Sequence, residues 1–515
     1  MWHAVAQTLL LALIVVLANH IASVWFGRQD LTRDQQFSLS ESARHSVSRL
    51  ERPLLAKVYF TGGLQAPYHN HRQALLDKLD ELQAYSGGQL EIITVDPTGD
   101  RAKTGEAKRF GIQPVTYVYS DWGQKETKLI FMGVSLVYGE RQHSIDALPS
   151  LEMMEYELVR AIRAVTTNPD DRKKIAFLQG NGEPNLAEYG EKTPVATLRS
   201  QLLERYDLQP LQLEGKEGVS EEVDAILVVA PQKPVHPFVQ YHLDQFVMGG
   251  GRVIWCISGV QPDFQTMLAR RVSHGLHGLL GHYGVTLNND TLIDRIHNEV
   301  TVVPTKSGGR PVLTRANYPL APVTTELNRQ HHVVRNVKRL LFPFATTLSL
   351  PPATDDTHTG EVWASSSAQS TSIAELRKID LESLKKPHLD EVRGSFPLIA
   401  ALSGTFSSFF LDQPEPSNLE IDPDETLLES KPTRMVVISS GDFFTNNPDF
   451  MLNAVDWVLE DESLISIRSR NTGFDPMDKP SQGRIWLWRL AIVGAPLVLL
   501  YLLGAAVFFR HRWRT

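Results

Sequence analysis

The stretch "KIAFLQGNGEP", residues 174–184, decides how the larger part of this chain folds. Ile175–Leu178 is a short continuous apolar run, the pattern of a strand covered on both faces. Gly180 and Gly182 follow, then Glu183 and Pro184, and "TPVATLRSQLLERY" (193–206) reads as a helix. A strand, a glycine turn and a helix open an α/β unit, and such turns often hold phosphates. This turn lacks the parts. No Lys-Ser/Thr pair follows the glycines, and Glu183 and Pro184 stand where a dinucleotide fingerprint needs its third glycine. The Glu183 carboxylate would repel a phosphate at closest approach. The turn still lies at the carboxyl end of a strand, where α/β folds place ligand sites. Asn181, Gly182 and Glu183 are therefore candidate ligand- or partner-contacting residues.

The same grammar continues outward. "LQPLQL" (208–213) and "DAILVVAP" (224–231) read as strands, and "PFVQYHLDQFVMGGGRVIWCIS" (237–258) as a helix, a glycine stop and a buried strand. "RMVVISSGDFF" (434–444) is another buried strand ending in a turn, with Asp442 as a further candidate contact, and "PDFMLNAVDWVLED" (448–461) is an amphipathic helix. This βαβ succession predicts a mostly parallel sheet over 173–467. Residues 300–430 read as loop-rich insertions, with "LPPATDDTHTGEVWASSSAQSTS" (350–372) and "LDQPEPSNLEIDPDET" (411–426) as exposed loops.

Towards the N-terminus, "SLSES" (38–42) offers a helix N-cap. "LLAKVYF" (54–60) and "QLEIITVDP" (89–97) read as strands. "HRQALLDKLDELQAYS" (71–86) places Leu75, Leu76, Leu79 and Leu82 at helical spacing. "VTYVYS" (115–120) and "TKLIFMGVSLVYG" (127–139) read as antiparallel strands, and "LEMMEYELVRAIRAVTT" (151–167) as a closing helix. The order βαβαββα predicts a thioredoxin-like domain over 37–150, with a connecting helix and linker at 151–172. Pro114 in "FGIQPVTYVY" resembles the proline that precedes a strand of that fold. After the first strand "TGGLQAPY" (61–68) holds no cysteine, so thiol redox chemistry is absent.

The two ends point to a membrane. Residues 1–27 contain no Asp, Glu, Lys or Arg, and "LAIVGAPLVLLYLLGAAVFF" (490–509) contains none either. Each apolar stretch is long enough to cross a bilayer as a helix, so spans are expected at 3–26 and 487–509, with a linker at 468–484. "MWHAVAQ" carries no Lys or Arg and no clean A-x-A site follows, which favours an uncleaved anchor over a signal peptide. Arg510, Arg512 and Arg514 make the tail cytoplasmic by the positive-inside rule. Both termini then face the cytoplasm, and the bulk of the chain is periplasmic or otherwise extracytoplasmic. The net charge of −8 and the lack of a long basic tract give nucleic acid no footprint.

Catalytic candidates read as packing residues. Cys256, the one cysteine, sits between Trp255 and Ile257 in an apolar strand without the G-x-C-x-G context of a nucleophile elbow. Ser439, Ser440 and Asp442 lie at a strand end, where Asp442 fits a turn or cap role. His274, His277 and His282 share rough helical spacing but bring no carboxylate with them. No metal or cofactor is expected.

These features together resemble a known family. "DLTRDQQFSLSESARHSVSRLERPLLAKVYF" (30–60), "VDP" (95–97), "LEMMEYELVRAIRAVTTN" (151–168), "KKIAFLQGNGEP" (173–184), "MGGGRVIW" (248–255) and "GDFF" (441–444) look like the GldG-like proteins, auxiliary components of ABC-type transport first associated with gliding motility. In that family the turn reads closer to G-H-G-E, and Asn181 stands here in place of the His. The resemblance implies a multi-span permease and a cytoplasmic ATPase as partners, in a bacterial inner membrane, and no established enzyme activity. It also implies an α/β domain of a kind shared with some intraflagellar-transport proteins, for which a sugar ligand has been suggested. The expectation is a membrane-anchored, non-enzymatic auxiliary subunit. The alternatives are an anchored receptor for a sugar or cell-wall fragment, and an amidotransferase-like hydrolase using Cys256 or Ser440.

Overall fold

The computed structural model describes residues 39–460, apart from 67, 122–123, 149, 152, 169–170, 185–193, 214–216, 308–309, 336, 352–356, 389 and 412–425. The expected spans at 3–26 and 487–509, the linker at 468–484 and nearly all of the loop at 411–426 lie outside the described residues. Among the described residues no helix is long and apolar enough to cross a membrane.

The N-terminal sheet is built on β1 (Leu54–Phe60). Period-two geometry sends Leu54, Ala56, Val58 and Phe60 into one buried cluster and Tyr59 into another on the opposite face. The first face is covered by α1 (Glu41–Ser48), α2 (His71–Tyr85) and α4 (Met154–Thr166). The second is covered by α3 (Arg101–Arg109) through Ala107. β2 (Leu90–Val95) pairs with β1 in parallel; β5 (Met132–Tyr138) runs antiparallel to β1, and β6 (Arg141–Ile145) antiparallel to β5. The order is β2-β1-β5-β6. Ser40 caps α1 by accepting from Ala43 N–H at 3.0 Å, as the "SLSES" reading expects. Its own N–H donates to the buried Glu155 of α4 at 2.8 Å, and Glu155 also pairs with Lys78 of α2. One carboxylate thus ties α1, α2 and α4 together.

One expectation changes here. β3 (Val115–Asp121) and β4 (Gln124–Ile130) form a separate hairpin, and the chain re-enters the sheet only at Met132. The strand after Pro114 is therefore outside the central sheet, and "TKLIFMGVSLVYG" is two strands broken at Phe131. Phe131 stays buried, with its N–H donated to Thr61 Oγ1, so the break is anchored against the end of β1.

The larger sheet has seven strands: β7 (Lys174–Gln179), β8 (Asp207–Gln212), β9 (Val223–Val229), β10 (Arg252–Cys256), β13 (His358–Ser365), β14 (Pro397–Gly404) and β15 (Thr433–Ile438); β11 (Asn298–Ser307) and β12 (Arg310–Thr324) lie outside it. Their order is β13-β14-β15-β10-β9-β7-β8. Five strands, β15 to β8, run parallel, and β14 pairs antiparallel with both β15 and β13. Alternate residues again split the core. Ile175, Phe177, Leu227 and Ile254 face α5 (Pro194–Leu203) and α8 (Pro448–Val458). Ala176, Leu178, Val228 and Trp255 face α6 (Pro237–Met248) and α7 (His277–His282). Both faces are covered, which is why these strands read as apolar runs.

The region read as loop-rich also carries strands among its described residues. Asn298–Ser307 (β11) and Arg310–Thr324 (β12) form a long hairpin, and "THTGEVWASS" contains edge strand β13 with Trp363 fully buried. Trp363 packs edge-on against Trp457 of α8 at 4.8 Å between ring centres. A separate small core, including Ile293, Tyr318, Leu320 and Ile379, consolidates this insertion.

Candidate functional site

The chain leaves β7 to make β8 on one side and then returns to β9 on the other. The switch point of the sheet is therefore the pair of loops after β7 and β9, where open α/β sheets form their crevice. The "GNGEP" turn is one of those loops. Gly180 and Gly182 adopt positive φ of 113° and 85°, conformations that L side chains rarely take. A Cβ on Gly182 would also lie 3.1 Å from Gln232 Cβ in the loop after β9.

The turn closes on itself. Glu183 is only 9% exposed, and its carboxylate accepts from Asn181 N–H at 2.6 Å and from Asn181 Nδ2 at 3.0 Å. The Asn181 carbonyl accepts from the N–H groups of Gln232 and Lys233, at 2.9 and 2.8 Å. Asn181, Gly182 and Glu183 thus come together as one unit that bridges the two loops, and the unpaired acid of the sequence acquires its partners. Gln232 and Lys233 were not legible as part of this unit, because nothing in their own sequence marks them.

Asp442 does not join them. β9 and β10 separate the end of β7 from the end of β15, so about three strand spacings, ~14 Å, intervene. Asp442 precedes the short helix Phe443–Asn446 and is its cap by position, with no side-chain cap hydrogen bond. Its carbonyl accepts from Thr445 Oγ1 and Asn446 Nδ2. The side chain reaches the surface, but protein crowded around the carboxyl displaces water and raises its pKa.

Between these points the carboxyl edge is stitched by neighbouring loops. Ala230, at positive φ of 48°, donates its N–H to the Cys256 carbonyl. Gly441 donates to Ser258 Oγ at 2.7 Å and lies so close to Ala230 that a Cβ would stand 2.8 Å from Ala230 Cβ. The Ser440 hydroxyl donates to the Pro343 carbonyl at 2.5 Å, which turns it away from any role as an activated nucleophile. Cys256 is fully buried, and burial pushes its thiol far above the usual range, so the thiolate needed for attack is disfavoured. His274 and His277 stack at 4.7 Å, but His282 points elsewhere, with its ring nitrogen Nε2 3.0 Å from the Ser407 carbonyl. Among the described residues no three His, Cys, Asp or Glu side chains group as metal ligands.

A doubly covered, mostly parallel sheet with its switch point closed by its own loops, preceded by a smaller mixed sheet, defines a multi-sheet α/β protein. The chain belongs to the family described as ABC-type uncharacterized transport system, which it matches over residues 172–458, the whole of the larger sheet and its helices. That membership gives it a transport-associated auxiliary role. Residues 33–137 match a second family, a domain of unknown function. No curated protein matches the chain. Among solved structures, "mmIFT52 N-terminal domain" is similar over 56% of this chain and 97% of that chain, at 14% identity and a TM-score of 0.32. "Exo-beta-1,4-mannosidase Op5Man5 from Opitutaceae bacterium strain TAV5" is similar over 79% of this chain and 50% of that one, at 10% identity and a TM-score of 0.20. Similarity this weak assigns no function.

Proposed function

We propose that this chain is a membrane-anchored, non-enzymatic auxiliary subunit that stands beside an ABC-type permease and its cytoplasmic ATPase. The family match over the larger sheet carries the proposal. In this reading the apolar stretches at 3–26 and 487–509 are the anchors, and the tail carrying Arg510, Arg512 and Arg514 supports cytoplasmic termini with the two sheets outside. The N-terminal domain is a thioredoxin-like unit without redox cysteines; the β2-β1-β5-β6 order, with one parallel and two antiparallel pairs, supports that reading. Asn181, Gly182 and Glu183 then hold a surface turn in shape for a partner, and Asp442 marks a second point on the same edge. The chain has no Walker motif, so nucleotide hydrolysis falls to the partner. Crosslinking in intact membranes followed by mass spectrometry of the copurified proteins tests this. A permease and an ATPase are expected; their absence from gently solubilised, crosslinked material refutes the reading.

A further inference from the structure

The cleft between the N-terminal domain and the start of the larger one has a charge opposite to that of the protein. Its volume is about 580 Å³, and eight Arg or Lys residues line it against Glu51, Asp171 and Glu204. Even with the flanking acids Glu157 and Asp456 counted, a surplus of three positive charges remains, in a chain of net charge −8.

The cationic side chains divide into a held set and an uncommitted set. Arg141 donates to the carbonyls of Thr166 and Thr167 and lies over the Tyr138 ring, so it neutralises the C-terminal end of α4 that would otherwise repel an anion. Arg160 is fixed between Glu157 and Glu204, and Arg205 is held by Asp456. Arg49 and Arg52 are exposed on the rim and pair with no acid among the described residues. Backbone N–H groups of Glu51 and Arg52 converge on the Tyr138 hydroxyl at 3.2 Å each, which holds the rim segment in place. Both ends of the described chain flank this cleft: α1 contributes His45 and Arg49, and Lys173 donates to the Leu459 carbonyl.

We propose that this cleft binds a phosphate group, with Arg49 and Arg52 as its principal ligands. Guanidinium forks match phosphate oxygens two at a time, and a concave wall concentrates the field of the surplus charge. The phosphate belongs either to an anionic lipid headgroup or to a soluble phosphate. The twelve residues 27–38 reach at most about 40 Å, so a bilayer holding the 3–26 stretch lies within tether length of α1. The phosphate assignment itself stands without the auxiliary-subunit reading.

The full chain in non-ionic detergent, titrated with inorganic phosphate and separately with short-chain phosphatidylglycerol, tests the proposal by phosphorus NMR line broadening and thermal shift. Saturable binding is expected, weakened about tenfold or more by the Arg49→Glu/Arg52→Glu pair and by raised salt. The Arg270→Glu/Arg377→Glu pair makes the same charge change at exposed sites elsewhere and should bind as wild type. Tighter binding of the lipid than of phosphate assigns the headgroup; equal binding assigns a soluble phosphate. No saturation by either probe at about 10 mM overturns the proposal. Equal affinity in the wild type and the Arg49→Glu/Arg52→Glu variant, or equal loss in the control pair, also overturns it.

Discussion

Replacing Glu183 with Gln separates a turn-locking carboxylate from a ligand-binding one. In the structure both carboxylate oxygens accept from Asn181, one from the backbone N–H at 2.6 Å and one from Nδ2 at 3.0 Å, in a site 9% exposed. Gln keeps the shape but turns an NH₂ group towards one of those two donors, so one buried N–H loses its acceptor. The loss of a charge-assisted bond with an orphaned donor is about 1.5–3 kcal/mol. For a domain of this size that lowers the unfolding midpoint by roughly 3–10 °C. Thermal and urea unfolding of the purified full chain in detergent measure it, with no ligand added. Asn181→Ala removes only the Nδ2 donor, so its effect should be smaller, and the double variant should show a coupling of about 1 kcal/mol because the two side chains share one of the two bonds. A Glu183→Gln chain that unfolds at the wild-type midpoint refutes the turn-locking argument. If that chain also loses its copurifying partners, the carboxylate acts on a partner instead.

The Arg205–Asp456 pair joins the start of β8 to α8, with Asp456 fully buried and also receiving the Tyr206 hydroxyl. Asp456→Ala strands a buried cation and should destabilise by about 3–5 kcal/mol in urea unfolding, while Arg205→Met with Asp456→Leu recovers most of it. Trp363→Ala removes the side chain that fastens edge strand β13 to Trp457, at about 3–5 kcal/mol, and hydrogen exchange should rise first in 358–365. Burial lowers the pKa of His274 to about 4, helped by His277 beside it. The unfolded chain therefore takes up this proton first, so the contribution is complete above pH ~6.5 and is lost as pH falls towards 4, up to about 3 kcal/mol. In His274→Gln the acid limb of the stability profile over that window should flatten, and an unchanged limb counts against the assignment.

Much of the core was readable because burial and period coincide. The runs at 175–178, 225–229, 253–256 and 435–438 are apolar because helices cover both faces, and each lies in a strand. The Ser40 cap and the glycine stop after α6 are local, so local sequence signals them. Within 300–430, "PLIAALS" is apolar enough for a strand, but a short apolar run does not say which sheet receives it. "EVWASSSAQS" alternates poorly, and becomes an edge strand only because β14 offers a ladder and Trp457 a partner for Trp363.

The sequence by itself therefore determined the class: α/β, apolar at both ends, with a turn that cannot cradle a phosphate. It could not determine strand order, because pairing joins segments such as β10 and β15 that lie about 180 residues apart. Strand order in turn set the switch point, brought Gln232 and Lys233 onto the Asn181 carbonyl, and placed Asp442 too far away to join them. The basic cleft is likewise a tertiary product. Its arginines are scattered from Arg49 to Arg205 among neighbours of both signs, and only the packing of α1 and α4 beside the larger sheet gathers their charge into one field.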